Sequence, residues 1–287
     1  MTKKILLKTL AAFVLIFLLT SGKMVNKGDS IIIMSYNIRV GVDEGINSWE
    51  NRKEKVASMI MFHHADIIGG QEALINQFDD LSKLLPDYDW FGVGRDDGEN
   101  KGEFSAVFYN KNRFHVLNSS TFWLSETPQV VSVGWDAALP RIVTWGELKD
   151  KNSGQSFFIF NTHFDHIGET ARQNSAELIV NKVKEIAVDK PSFVTGDFNA
   201  KPDSKVYEIL TVSLKDAQFE SINGHYGSDI TFNDFGRSAA PGNKIDFIFV
   251  KNDVKVLQHG VIGDTFNGNY PSDHMPVIAE VIAIGSE

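Results

Sequence analysis

The chain has 287 residues, 43% of them hydrophobic and 11% aromatic, enough to bury the core of one large domain or two small ones. Its formal charge of −9 makes its surface a poor electrostatic partner for long nucleic acid, while a small phosphorylated substrate, or nucleic acid held through metal ions, stays open. It has no cysteine, which excludes a disulfide framework, a thiolate metal site and a lipid-modified N-terminal cysteine.

At the N-terminus, Lys3, Lys4 and Lys8 precede an apolar run from Leu10 to Leu19, then Thr20, Ser21 and Gly22. A basic start, a short apolar stretch and small residues form the pattern of an export signal over residues 1–22; an uncleaved N-terminal anchor is the alternative. The run is short for a membrane span. The expected mature chain, 23–287, begins near Lys23, carries a charge of −12 and works in the periplasm or outside the cell.

Ile31 to Asn37 reads as a strand. Ser48 is placed to cap a helix running from Trp49 to about His63. Asp66 to Gly70, Phe104 to Tyr109, Ile142 to Leu148 and Phe157 to Thr162 are further short apolar runs with strand character. Gly168 to Val188 is a long helix, with Leu178, Ile179, Val183, Ile186 and Ala187 at helical spacing. Strands follow at Pro191 to Thr195, Ile245 to Val250 and Met275 to Ala283. Two polar, glycine-rich stretches, Gly94 to Gly102 and Asn223 to Asn243, read as loops. There is no repeat, low-complexity tract or linker, so many strands with few helices predict two stacked sheets flanked by helices in one α/β domain.

Polar residues collect where these strands end. They are Asn37, Gln71-Glu72, Asn161-Thr162-His163, Gly196-Asp197-Phe198-Asn199, Lys244-Ile245-Asp246 and Ser272-Asp273-His274. Asp197 and Asn199, two positions apart on one strand, are expected to point to the same side. Any one of these residues alone is explained equally well as a turn former or a cap. Six such groups at the ends of separate apolar strands describe the floor of a site. Its oxygen-rich donors suit a hard cation, Mg²⁺ or Mn²⁺, and its histidines can bind a phosphate or move a proton.

The order of Ser-Tyr-Asn37-Ile-Arg, Gly-Gly-Gln-Glu72, Asn-Thr-His163, Gly-Asp197-Phe-Asn199, Lys-Ile-Asp246-Phe and Ser-Asp273-His274 resembles the endonuclease/exonuclease/phosphatase superfamily, over about Ile31 to Ile284. Ser48-Trp49-Glu50-Asn51-Arg52-Lys53 and Pro202-Asp203-Ser204 look most like its nocturnin-type deadenylase branch. The segments Trp123 to Pro128 and Gly134 to Arg141 look like exported bacterial homologues. The resemblance implies a deoxyribonuclease I-like fold, a four-layer α/β/β/α sandwich of two packed mixed sheets. It implies a metal-dependent phosphoesterase in which water attacks in line. Glu72 would be the main metal ligand, with Asn37 beside it and Asp273 helping a second metal. His163 would contact the phosphate. Asp197 would position or deprotonate the attacking water, and Asn199 would orient it and meet the phosphate. Asp246 would hold His274, which stabilises the transition state or acts as base. Arg141 would clamp a phosphate, or is a surface arginine. The substrate would be a phosphorylated small molecule, a lipid head group or nucleic acid; no protein partner is implied and a monomer is expected.

Two other readings compete. His163-Phe164-Asp165-His166 resembles part of the dinuclear zinc motif of the metallo-β-lactamase fold, with Asn161 where its first histidine should stand. That leaves Glu72, Gly-Asp-Phe-Asn and Ser-Asp-His unexplained. A secreted binding module without catalysis would have no need of Glu72, Asp197 and His274, and all three are present.

Overall fold

The computed structural model describes residues 30–284, except 239 and 241, so the expected signal segment and the start at Lys23 lie outside the described residues. Among the described residues no helix is long and apolar enough to cross a membrane. The elements run β1 (Ile31–Asn37), α1 (Trp49–Phe62), β2 (Ile67–Ala73), α2 (Ile75–Leu84), β3 (Tyr88–Phe91), β4 (Phe104–Asn110), β5 (Phe114–Trp123), β6 (Ile142–Asp150) and β7 (Ser156–His163). There follow α3 (Glu169–Ala187), β8 (Ser192–Asp197), α4 (Lys205–Thr211), β9 (Lys215–Asp216), α5 (Ala217–Glu220), β10 (His225–Gly227), β11 (Asp246–Lys251), β12 (Val254–Val261) and β13 (Val277–Ala283).

One sheet has the order β10-β12-β13-β1-β2-β4-β3, the other β5-β6-β7-β8-β11-β9. Strand alternation divides their side chains between layers. Ile31 and Ile33 of β1 join the core between the sheets, whereas Met34 and Tyr36 face the layer of α1 and α2. Phe157 and Ile159 of β7 point inward; Phe158 and Phe160 point out to the layer of α3 and α4. Phe193 of β8 and Ile248 of β11 are inward, Val194 and Phe249 outward. The result is the four-layer α/β/β/α sandwich. Burying each inward aliphatic or Phe side chain contributes about 1.5–3 kcal/mol.

The same parity puts Asn37, Asn161, His163, Asp197 and Asp246 on inward positions at one end of that core. Parallel pairing of β1 with β2 and of β7 with β8 brings their C-terminal ends to one edge. β11 runs antiparallel to β8 with Asp246 opposite Asp197, so its first residue reaches the same edge.

Just below this edge Asn161 ties the sheets together. Its Nδ2 donates to Gly70 O and Ala106 O, both at 2.9 Å, and its Oδ1 accepts from Gln71 Nε2 (2.7 Å) and Thr195 Oγ1 (3.0 Å). Gly69 leaves room for it: a β-carbon there would lie 2.1 Å from Thr195 Oγ1 and 2.5 Å from Asn161 Oδ1. Two local expectations need correction. Ser48 stands at the N-cap of α1 but its hydroxyl accepts from Asn51 Nδ2 rather than from the helix backbone. Asp66 precedes β2 instead of opening it, because its carboxylate is held by Ile32 N and Arg113.

Candidate active site

The polar edge opens into a cavity of about 490 Å³ lined by Arg39, Glu72, Glu103, Arg141, His163, Asp197, Asn199, Phe232, Asp273 and His274 among others. Asn37 and Asp246 stand behind these side chains, fully buried. All nine residues singled out in the sequence therefore meet at one place.

Three of the site's residues have left-handed backbone, Arg39 (φ 62°), Glu72 (φ 66°) and Asn199 (φ 46°). Such a φ is costly for a non-glycine residue and re-aims its side chain. At Glu72 it coincides with a bulge, since the β2–β4 register shifts between Gln71 and Ala73. Asn199 is not on a strand: β8 ends at Asp197. The turn at Asn199 sends its Nδ2 back to Phe164 O (3.0 Å) and His163 Nε2 (3.1 Å), and its backbone N–H donates to Asp197 Oδ1 (2.9 Å). So the two side chains meet through a turn, not through strand alternation.

Asn37 braces two acids at once. Its Nδ2 donates to Glu72 Oε1 (2.9 Å) and Asp197 Oδ2 (3.0 Å), while its Oδ1 accepts from Arg39 N (3.0 Å). Beneath it, the fully buried Arg52 donates to the carbonyls of Asn47, Ile38, Arg39 and Pro271. That is the physical content of the Trp-Glu-Asn-Arg stretch: a guanidinium pinning the loops that carry the site. Ser272 Oγ donates to Asn37 O (2.7 Å) and fixes the strand end against Asp273 and His274.

His274 Nδ1 donates to Asp246 Oδ2 at 2.8 Å, and its Nε2 lies 3.7 Å from Asp197 Oδ2. Burial alone would lower its pKa, but the Asp246 charge, then that of Asp197, outweigh it and raise it from 6.5 to about 10. The imidazole is therefore a cation at neutral pH, with Nε2–H free to face the cavity. Burial, followed by the charge of Asp246, raises the Asp197 carboxyl well above the usual carboxylate range. Burial also pushes Glu72 up, but the His274 charge, the Asn37 hydrogen bond and the Val40 N–H prevail and hold it below its ordinary value. His163 goes the other way: burial, then the charges of Arg141 and Arg95, keep it neutral.

The donors suit a hard divalent cation. Glu72 and Asp273 are carboxylates facing one cavity, and the guanidinium of Arg39 already answers their charge from 3.9 and 3.6 Å, too far for hydrogen bonds. Glu72, Asp197 and His274 present ligand atoms within 4.8 Å of one another; His274 Nδ1 is already engaged with Asp246, and a hard cation prefers the oxygen donors. The zinc alternative fails because its other ligands are engaged elsewhere. Asp165 caps the backbone N–H groups of Ile167 and Gly168, and His166 Nδ1 faces Arg141.

Several contributors escape sequence reasoning. Thr231 Oγ1 accepts from Ile245 N and Asp246 N and so sets the start of β11. The ring of Phe232 packs 5.0 Å from that of His274. Both sit in the expected loop, where no periodicity marks them. Arg39 and Glu103 line the cavity, yet a charged residue in a loop gives no signal by itself. Arg141, expected as a clamp or a surface residue, is buried at 4% exposure and held by Asp165 Oδ2 and His166 Nδ1.

Two packed mixed sheets with an acid- and histidine-lined cavity at their strand ends define a phosphoester hydrolase class. The chain belongs to the Endonuclease/Exonuclease/phosphatase family, which it matches over residues 34–274. It is similar to the endonuclease/exonuclease/phosphatase from Bacteroides vulgatus, at 44% identity and TM-score 0.85 over 89% of this chain and 99% of that one. It is also similar to the mannosyl-6-phosphatase of Bacteroides thetaiotaomicron VPI-5482, at 40% identity and TM-score 0.84 over 88% and 99%. Nocturnin of Drosophila melanogaster is 24% identical over 64% of this chain, which spans only 31% of that longer protein.

Proposed function

We propose that the protein is a divalent-cation-dependent phosphomonoesterase acting on a small polyhydroxylated phosphate ester such as a sugar phosphate. The observation that carries this reading is the Asp246–His274–Asp197 arrangement beside the Glu72 and Asp273 carboxylates in one cavity. A cavity of about 490 Å³ suits a small molecule. The acidic chain gives no support to long nucleic acid. The 40% identity to a mannosyl-6-phosphatase supports a phosphorylated sugar.

Glu72 and Asp273 would hold a divalent cation, which when bound would neutralise phosphoryl oxygen charge. The chain's own groups do the rest. Asp197 takes a proton from the attacking water, its raised pKa bringing it close to working pH. Asn37 and the Asn199 N–H hold its two oxygens in place. Both amide protons of Asn199 are engaged, so its Oδ1 is left to orient the water. His274, fixed and charged by Asp246, donates Nε2–H to a phosphoryl oxygen as negative charge develops. Phosphate release from a panel of sugar phosphates, phosphodiesters and oligonucleotides with Mg²⁺ tests this reading. Turnover confined to diesters or oligonucleotides would overturn it.

A further inference from the structure

One wall of the cavity is built for something other than phosphate. Both amide protons of Asn199 have partners, Phe164 O and His163 Nε2, so Nε2 is the acceptor nitrogen of His163. The ring proton then sits on Nδ1. That atom is buried, has no hydrogen-bond partner, and lies 3.9 Å from Glu103 Oε2. Arg141 Nη1 is likewise buried and without a partner, on a side chain 4% exposed that lines the cavity beside Glu103 and His163. Two orphaned donors of this kind call for a ligand atom.

Glu103 decides which. Its two oxygens accept from Arg95 Nη2 (3.0 Å) and Nη1 (2.7 Å), a bidentate pair that locks the carboxylate from one side and leaves lone pairs toward the cavity. Arg95 is 7% exposed, its carbonyl accepts from Trp123 Nε1 (2.8 Å), and its own N–H donates to Glu103 O, so the pair is rigid. A phosphate oxygen bridging His163 Nδ1 and Arg141 Nη1 would meet the Glu103 charge and be repelled. A hydroxyl satisfies all three, accepting from the two donors and giving its proton to the carboxylate. The His163 ring separates this wall from the reacting side, because its opposite nitrogen faces Asn199 and lies 3.5 Å from Asp197 Oδ2.

We propose that Glu103, His163 Nδ1 and Arg141 Nη1 form a hydroxyl-recognition subsite that holds the alcohol part of the substrate and makes Glu103 a specificity-determining residue for polyols. The inference rests on the phosphomonoesterase reading and names the part of the substrate that this wall selects. Because buried donors left unpaired are costly, an ester lacking the hydroxyl is rejected strongly.

The test compares kcat/KM for a hexose 6-phosphate and for n-hexyl phosphate, which has the same carbon count and no ring hydroxyl. The wild-type enzyme is expected to prefer the sugar ester by about a hundredfold or more. Glu103→Gln should cut that preference by at least about tenfold, mainly through a higher KM for the sugar ester. Arg141→Lys, which keeps the charge but not the Nη1 direction, should act in the same sense. Wild-type turnover of both esters with equal kcat/KM overturns the subsite and leaves the phosphomonoesterase reading standing. An equal fall for both esters in Glu103→Gln also overturns it, as a structural or phosphate-directed role would do that. No turnover of either ester by the wild type overturns the reading beneath it as well.

Discussion

Substituting Asp246→Asn separates the two jobs the buried acids perform. Asp246 and His274 are 1% and 5% exposed and share a 2.8 Å hydrogen bond. Against the burial that would neutralise it, His274 is carried from 6.5 to about 10, with Asp246 the largest of the opposing charges, ahead of Asp197 and Asp273. Asparagine keeps the shape but removes the charge, so burial then returns His274 toward its neutral form. A preorganised donor at a developing oxyanion contributes about 3–4 kcal/mol, so kcat at pH 7.5 should fall about 10²- to 10³-fold. The sign with pH is fixed: a group whose pKa has dropped regains its proton only as pH falls. The ratio of variant to wild-type activity should therefore rise from pH 8 toward pH 5.5. The half-saturating Mg²⁺ concentration should move less than about threefold, since the oxygen donors Glu72 and Asp273 are untouched. Phosphate release across a pH series and a Mg²⁺ series reads both quantities. A kcat within about threefold of wild type, or rescue by excess Mg²⁺, would show that Asp246 does not act through His274.

Glu72→Gln should do the reverse: half-saturating Mg²⁺ rises about tenfold or more and excess ion restores part of the rate, because an amide oxygen lacks the charge a hard cation requires. Asn161→Ala removes the tie between the sheets, taking its donor from Gly70 O and Ala106 O and one of the acceptors of Gln71 Nε2, so urea unfolding should show a loss of about 3 kcal/mol or more. His259 is 3% exposed against His225, and burial, then the charges of Lys244 and His225, lower it to about 3. The unfolded chain takes that proton first as pH falls below about 6.5, so its stability contribution is complete above that pH and drains away toward pH 3. Going from pH 7.5 to 4.5, wild type should lose about 2–3 kcal/mol more than His259→Gln, and equal losses would contradict this.

The site was legible because strand alternation is rigid. Once Ile31, Ile33, Phe157, Ile159 and Phe193 are inward, the polar residues that follow on the same parity must share an edge. Where the chain leaves that rule, the sequence is silent. Glu72 reaches the cavity through a left-handed bulge within β2, and Asn199 through a left-handed turn after β8. β5 has a solvent-exposed middle and β12 a bulge between Val256 and Gln258, so neither shows an unbroken inward pattern. α2 buries only Gln77, Phe78 and Leu81, too few apolar positions to announce a helix. Arg95 and Glu103 belong together only because the loop between them closes, with Asp97 Oδ1 accepting from Glu99 N and Lys101 N. Arg141 follows a segment with no strand or helix period and gives no sign of burial, and it is buried against Asp165.

The measurement that bears most directly on the whole account is release of inorganic phosphate from a hexose 6-phosphate by the wild-type enzyme, after treatment with EDTA and again after Mg²⁺ is restored. The arrangement of Glu72 and Asp273 opposite His274 predicts turnover that EDTA abolishes and added Mg²⁺ recovers. Turnover that persists undiminished through chelation would contradict a cation held by those carboxylates, and absence of turnover with Mg²⁺ present would contradict the proposed reaction itself.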